Sequence, residues 1–147
     1  MRALLDTNII VDVLQSREPW YIFGQKIFLA AANRRFEGCI TAKEATDIHY
    51  FARKLFKGEK NIDCKARRVI SGLFSLFELL DTRSSDCQKA VLSACPDYED
   101  AVMIETGIRA RVDCIVTRNT GDYASSPIPV YSPSDFLTLL DTFSLSF

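Results

Sequence analysis

Asp6, Asp47, Asp100 and Asp122 are widely separated along the chain, and each stands where a regular element ends or begins. Each has a plain structural reading. Asp97 caps a helix, Glu44 is a capping-box acid, Asp47 is a solvated helix residue, Asp100 favours its helix dipole, and Asp122 is a turn residue after Gly121. Asp6 resists that treatment, because an ionised group closing an apolar strand is rarely buried without a partner. Unit charges ~4 Å apart repel by about 1 kcal/mol in water and about 4 kcal/mol at an effective dielectric near 20. If the fold gathers these acids, protons or a cation must compensate them. The chain has one histidine, His49, and its five cysteines (Cys39, Cys64, Cys87, Cys95, Cys114) form no CxxC pair, so a His-rich zinc site is out of reach. Oxygen-only ligands suit Mg²⁺ or Mn²⁺, which keep waters and tolerate few direct carboxylates.

The elements that must position these acids alternate between strand and helix. Arg2–Asp6 reads as a buried strand. Glu18-Pro19 reads as a helix entry with proline at the first helical position, and the helix runs to about Arg34. Gly38-Cys39-Ile40 is a second strand. Thr41-Ala42-Lys43-Glu44 matches a capping box, so a helix starts there, runs to about Phe56 and stops at Gly58. A helix from Asp63 to about Phe74 and a strand over Leu76–Leu80 follow. Ser84 or Ser85 caps the next helix, and Asp97 caps one ending near Arg111. Cys114–Thr117 and Pro129–Tyr131 are the last strands, and Ser132-Pro133 opens the final helix. This alternation predicts one α/β domain over residues 1–147 with a mainly parallel sheet. Ligands of such sheets bind beyond the carboxyl ends of the strands, where all four aspartates are expected.

The 147 residues, 48% hydrophobic and 25% charged, describe a soluble globular chain with no need of disulfides. No apolar stretch approaches the ~20 residues of a membrane span and no signal peptide opens the chain, so a cytoplasmic protein is expected. The odd cysteine count agrees with a reducing compartment. The net charge of −1 conceals an asymmetry: Arg53, Lys54, Lys57, Lys60, Lys65, Arg67 and Arg68 face only Glu59 and Asp63 within the same stretch. Such segregation can steer a polyanion, although a solvated helix face explains it equally well.

Leu4-Leu5-Asp6-Thr7-Asn8, Asp97-Tyr98-Glu99-Asp100-Ala101 and Val116-Thr117-Arg118-Asn119-Thr120-Gly121-Asp122-Tyr123 together resemble the PIN-domain family. Ile40-Thr41-Ala42 through Asp47-Ile48-His49-Tyr50 fits its second acidic motif, and the likeness extends over essentially the whole chain. It looks closest to prokaryotic VapC-like toxins. The resemblance implies a three-layer α/β/α fold whose five-stranded parallel sheet has the order 3-2-1-4-5. It also implies a metal-dependent ribonuclease that leaves a 5′-phosphate and a 3′-hydroxyl. Its acidic positions fall on Asp6, Asp47, Asp100 and Asp122, holding Mg²⁺ or Mn²⁺, with Thr7, Asn8, Thr117 and Asn119 as polar support. The second acid is often glutamate in relatives, which keeps Glu44 as a fallback, and Asn119 is the alternative to Asp122. Arg53, Lys54 and Arg118 are the expected contacts to RNA phosphates.

Stacking by Tyr50 or Tyr123 is a further expectation, set against their more ordinary use as core or rim aromatics. His49 receives no catalytic task. Toxin members of the family imply a homodimer and a small antitoxin. The Trp20-Tyr21-Ile22-Phe23 cluster suits either contact, with packing into the core as the plainer reading. A haloacid-dehalogenase-type phosphatase also opens on a strand and Asp, but it needs a second Asp where Asn8 stands. A receiver domain lacks its acidic pair and late lysine here. The remaining alternative is a PIN-like binding or scaffold module with weak or no catalysis.

Overall fold

Along each central strand, successive apolar side chains enter opposite cores, as the two-residue period of a strand requires. In the computed structural model, which describes residues 1–144, strand β1 (Arg2–Leu5) sends Ala3 and Leu5 to one core and Leu4 to the other. Strand β2 (Glu37–Thr41) divides Ile40 from Cys39 in the same way, and β4 (Cys114–Val116) divides Cys114 and Val116 from Ile115. With β3 (Glu78–Leu80) and β5 (Val130–Tyr131) these strands form one parallel sheet in the order β3-β2-β1-β4-β5. Both faces are covered, so the central strands read as unbroken apolar runs. The three-layer fold and strand order expected from the resemblance are the ones observed. The helix α7 (Pro133–Ser144) ends the described residues, and Leu145–Phe147 lie outside them.

Helices α1 (Thr7–Leu14), α2 (Tyr21–Ala32), α3 (Ala42–Lys54), α4 (Ile62–Leu76) and α7 supply the first core through Ile9, Ile10, Ile27, Ile48, Leu73 and Phe136. Helices α5 (Ser84–Ala90) and α6 (Tyr98–Ala110) supply the second, with Ala90, Ala101, Val102, Met103 and Ile104. A partly buried ion pair ties α5 to α6: the Arg109 guanidinium meets the buried Asp86 at 2.9 Å, and Asp86 also accepts the Arg83 backbone N–H at 2.9 Å. The chain leaves β1 toward β2 over one face and returns from β3 to β4 over the other. The reversal leaves a crevice at the carboxyl ends of β1 and β4, the usual ligand position in such sheets.

Three readings are corrected. Helix α1 follows Asp6 directly, a segment to which the pattern assigns no element, because Ile9-Ile10-Val11 are buried together and their β-branched run hides the helical period. Pro19 does not open α2; it sits in a turn two residues before Tyr21. The capping box at Thr41 forms as expected, with the Glu44 N–H donating to Thr41 Oγ1 at 3.2 Å and the Thr41 N–H to Glu44 Oε2 at 2.7 Å. Gly58, with φ of 85°, turns the chain between α3 and α4. Trp20 and Ile22 are 38% and 51% exposed, so this cluster is not part of the core.

Gly38 permits two aromatic rings to approach β2 closely. A Cβ there would stand 2.6 Å from Phe77 Cδ1 and 3.2 Å from Phe36 Cε2, both in buried rings. Gly38→Ala is expected to cost about 1–3 kcal/mol through overpacking, read as a lower urea midpoint at unchanged slope.

Candidate active site

Asp6 emerges at the carboxyl end of β1 and at once precedes α1, so its carboxylate faces the first N–H groups of that helix. Its backbone N–H donates to the Val116 carbonyl at 2.9 Å, which fixes the residue beside the end of β4. Oδ2 accepts from the Thr117 hydroxyl at 2.7 Å and from Asn8 Nδ2 at 2.9 Å. The Thr117 hydroxyl in turn accepts from Asn8 Nδ2 at 3.2 Å and from the Asn119 N–H at 3.1 Å. One donor and two lone pairs are thereby all in use, and the orientation of Asp6 is set by three residues expected to support it.

Helix α6 brings Asp100 to the same place. Asp97 caps the helix by accepting the Asp100 N–H at 3.1 Å, and the buried Tyr123 hydroxyl donates to Asp100 Oδ1 at 3.0 Å while also acting on Asp6. Burial raises the Asp6 carboxyl above the ordinary aspartate value, against the donors from Thr117, Thr7, Tyr123 and Asn8. Burial also pushes Asp100 up to about 6, and the charges of Asp6, Asp97 and Asp122 add to this, against the Tyr123 hydrogen bond. Neighbouring carboxylates thus add to burial at Asp100.

Helix α3 contributes two acids with different standing. Glu44 is fully buried; it accepts the Thr7 hydroxyl on Oε1 at 3.1 Å, and burial, with the Asp6 charge added, pushes it up to about 8. Asp47 lies one turn further out on the wall, partly exposed, and pairs with Lys43 Nζ at 2.9 Å. Lys43 also meets Glu99 at 3.0 Å, so one ammonium joins α3 to α6 across the mouth. Asp6, Thr7, Lys43, Asp47, Tyr50, Phe51, Glu99, Asp100 and Met103 enclose an open cleft of about 340 Å³. Lys43 was legible as the i, i+4 partner of Asp47. Glu99 and Met103 carry no sequence signal that separates them from ordinary helix residues.

The profile of the PIN domain matches residues 2–121. The chain belongs to the PIN-domain family. Among solved structures it is similar to a toxin–antitoxin complex from Klebsiella pneumoniae, at 22% identity and a TM-score of 0.66, over 89% of this chain and 97% of that one. FitAcB from Neisseria gonorrhoeae gives 16% and 0.67 over 90% and 98% of the two chains. DNA-bound VapBC from Salmonella typhimurium gives 18% and 0.63 over 90% and 98%. At these identities the likeness is one of fold. No curated protein matches the sequence. Among the described residues, no helix is long and apolar enough to cross a membrane.

The remaining expected residues of this PIN domain fall in three places. Asp122 and Asn119 are exposed on the loop after β4, in and beside a 3-10 turn over Thr120–Tyr123; the Asp122 charge reaches Asp100. Arg53 and Lys54 are exposed at the end of α3. Arg118 turns away from the carboxylates, with Nε 3.0 Å from the buried Asp12 and its guanidinium 4.2 Å from the Trp20 ring. The expected reach of Arg118 to a phosphate in the cleft is thus not the geometry observed. His49 pairs with Asp63 of α4 at 3.1 Å, clear of the cleft.

The donor set fits a hard divalent cation: carboxylates from Asp6 before α1, from α3 and from α6 converge, hydroxyls orient Asp6, Glu44 and Asp100, and the nearby ammonium engages Asp47 and Glu99. Among the described residues no three such side chains close on one point tightly enough to hold an ion unaided. Water completes the shell of Mg²⁺ in that situation. Carboxyls raised in the folded state bind protons that the unfolded chain has released, so folding without metal is favoured as pH falls. In chelator, the melting temperature should rise as pH is lowered from about 8 toward about 5, the window set by Glu44 and Asp100. Asp100→Asn should melt at or above the parent temperature at pH 7.5 and show a flatter dependence. A large loss would assign Asp100 a structural role instead.

Proposed function

We propose that this chain is a Mg²⁺- or Mn²⁺-dependent endoribonuclease, the toxin of a toxin–antitoxin pair. The observation that carries the reading is the shared position of Asp6 and Asp100 under one Tyr123 hydroxyl, at the carboxyl edge of the central strands. Three of the similar structures are described as toxin–antitoxin, FitAcB or VapBC assemblies, one of them bound to DNA, and this supports an antitoxin partner.

Asp6 and Asp100 would hold the ion, with Asp47 or Glu44 contributing from α3 and Asp122 or Asn119 from the loop after β4. The bound ion supplies a more acidic water and offsets charge on phosphoryl oxygens. Thr117 and Asn8 keep Asp6 oriented, and Thr7 does the same for Glu44. Tyr123 holds Asp100 while excluding water from its inner side. Arg53 and Lys54 offer exposed cations to the RNA backbone beside the acidic cleft. Hydrolysis breaks the bond to the 3′ oxygen and gives a 5′-phosphate and a 3′-hydroxyl, with water as co-reactant. A homodimer is part of this reading.

One observation favours the second reading, a binding or scaffold module of weak activity: Lys43 already ties Asp47 to Glu99 across the mouth of the cleft. The two separate in one assay. Labelled RNA should be cut with Mg²⁺ or Mn²⁺ and spared in chelator. Asp6→Asn and Asp100→Asn should each lower the rate by at least about a hundredfold, since the ion's share of stabilisation is several kcal/mol. Mg²⁺ or Mn²⁺ at a hundred times its Kd should stabilise the parent by about 2.7 kcal/mol, and should do less for Asp100→Asn. Intact RNA under all metal conditions would favour the scaffold module, and cutting that persists in chelator would exclude the metal-dependent mechanism.

A further inference from the structure

Aromatic rings and cations alternate along the rim from the cleft to Trp20. Tyr50 and Phe51 both line the cleft, their rings edge to face with centroids 5.4 Å apart. Lys54 places Nζ 4.5 Å from the Tyr50 centroid and 5.0 Å from that of Phe51. Arg17, from the connection between α1 and α2, brings its guanidinium to 5.6 Å from the same Phe51 ring. Its Nη1 lies 3.9 Å from Asp12, the buried carboxylate that Arg118 also meets. Arg118 closes the row by lying over Trp20 at 4.2 Å. The contacts are continuous although they come from α1, α3 and two connecting segments.

Packing of the core does not account for this row. Tyr50 is 59% exposed and Trp20 38% exposed, so both rings leave apolar area in water beside cations. Asp12 is 1% exposed, and neither of its oxygens has a well-aligned hydrogen bond. It acts as a buried counter-charge that keeps two guanidinium groups near the rings. Three cations against this single carboxylate leave the row basic, next to a cleft that is acidic.

The geometry points to a track for single-stranded RNA, with Tyr50 and Trp20 stacking bases and Lys54 and Arg17 meeting phosphates. The inference rests on the nuclease reading and names the substrate form it takes. Stacking on a ring face tolerates any base, and flanking cations neutralise the backbone, the combination by which proteins bind single strands. A duplex, whose bases are already stacked, has no face to offer. Arg118 serves the strand here by holding Trp20, which gives it a role outside the cleft.

Trp20 is the sole tryptophan, so its emission reports directly on the track. Titration of the Asp100→Asn variant with oligoadenylate should quench that emission saturably, whereas duplex RNA of equal length should not. Tyr50→Leu and Trp20→Leu, both at exposed positions, should weaken binding of labelled oligoadenylate about 5- to 100-fold by anisotropy, and Tyr50→Phe should restore it. Arg17→Gln should reduce the steepness of the salt dependence by about 0.7 in log–log slope. Unchanged emission, equal quenching by duplex, or parent-like binding by both leucine variants would overturn the track. Cleavage by the parent is scored separately on the same RNA. Cutting without a Trp20 response removes the track and leaves the nuclease standing, and quenching without cutting does the reverse.

Discussion

Mutual repulsion among carboxylates is the constraint around which the upper edge of this sheet is arranged. The topology places Asp6 at the centre of the edge, and the helices that follow β2 and precede β4 must start there as well. Three helix N-termini, those of α1, α3 and α6, therefore point their free N–H groups into one region, and each brings an acid. Helix dipoles favour those acids singly but do not abolish the repulsion between them. Hydroxyls from Thr7, Thr117 and Tyr123 absorb part of it. Burial raises the carboxyls of Asp6, Glu44 and Asp100, and neighbouring carboxylates add to it at Glu44 and Asp100. Protons or a cation would relieve the repulsion that remains.

Neighbouring charges are kept out of the centre by being engaged elsewhere. Lys43 stays at the mouth because Asp47 and Glu99 hold it from opposite walls. Arg118 leaves the edge because Asp12, one helical turn and a half below Asp6 on α1, draws it toward Trp20. Lys65 and Arg67, within the basic stretch, are satisfied locally by Glu59 and Asp63. The local surplus seen in the sequence thus rests on the exposed Arg53, Lys54, Lys57, Lys60 and Arg68. Acid and base occupy adjoining zones, which is the arrangement a polyanion crossing from one to the other would meet.

Much of this was legible before any coordinates. Short apolar runs located the strands, because central strands buried on both faces show no polar interruption. The capping box at Thr41 and the Asp97 cap were readable because capping is local chemistry with fixed spacing. The convergence of Asp6 and Asp100 followed from the end of β1 and from the helix that runs down into β4. Helix α1 was not legible, since burial on several sides erased the polar stripe that marks a helix. The ranking of Glu44 above Asp47 in burial was not legible either: both sit in the first turns of α3, and the depth of each depends on Thr7 and Met103 opposite. Arg118 was misplaced because its partner, Asp12, lies over a hundred residues away in sequence and reads as one more helix acid. Tyr123 was read for its ring, when its hydroxyl is the part the carboxylates use.

Asp6 is at once the last residue of the sheet edge and the residue before a helix, with no connecting loop between them. The length of the chain at this point is therefore not adjustable. One added or deleted residue between Leu5 and Asn8 would rotate α1 by about 100° against the sheet or reverse the facing of β1, and either outcome separates Asp6 from Thr117. The Gly58 turn carries no such obligation and can lengthen freely. Over evolutionary time, insertions and deletions should accumulate at the second place and be purged at the first.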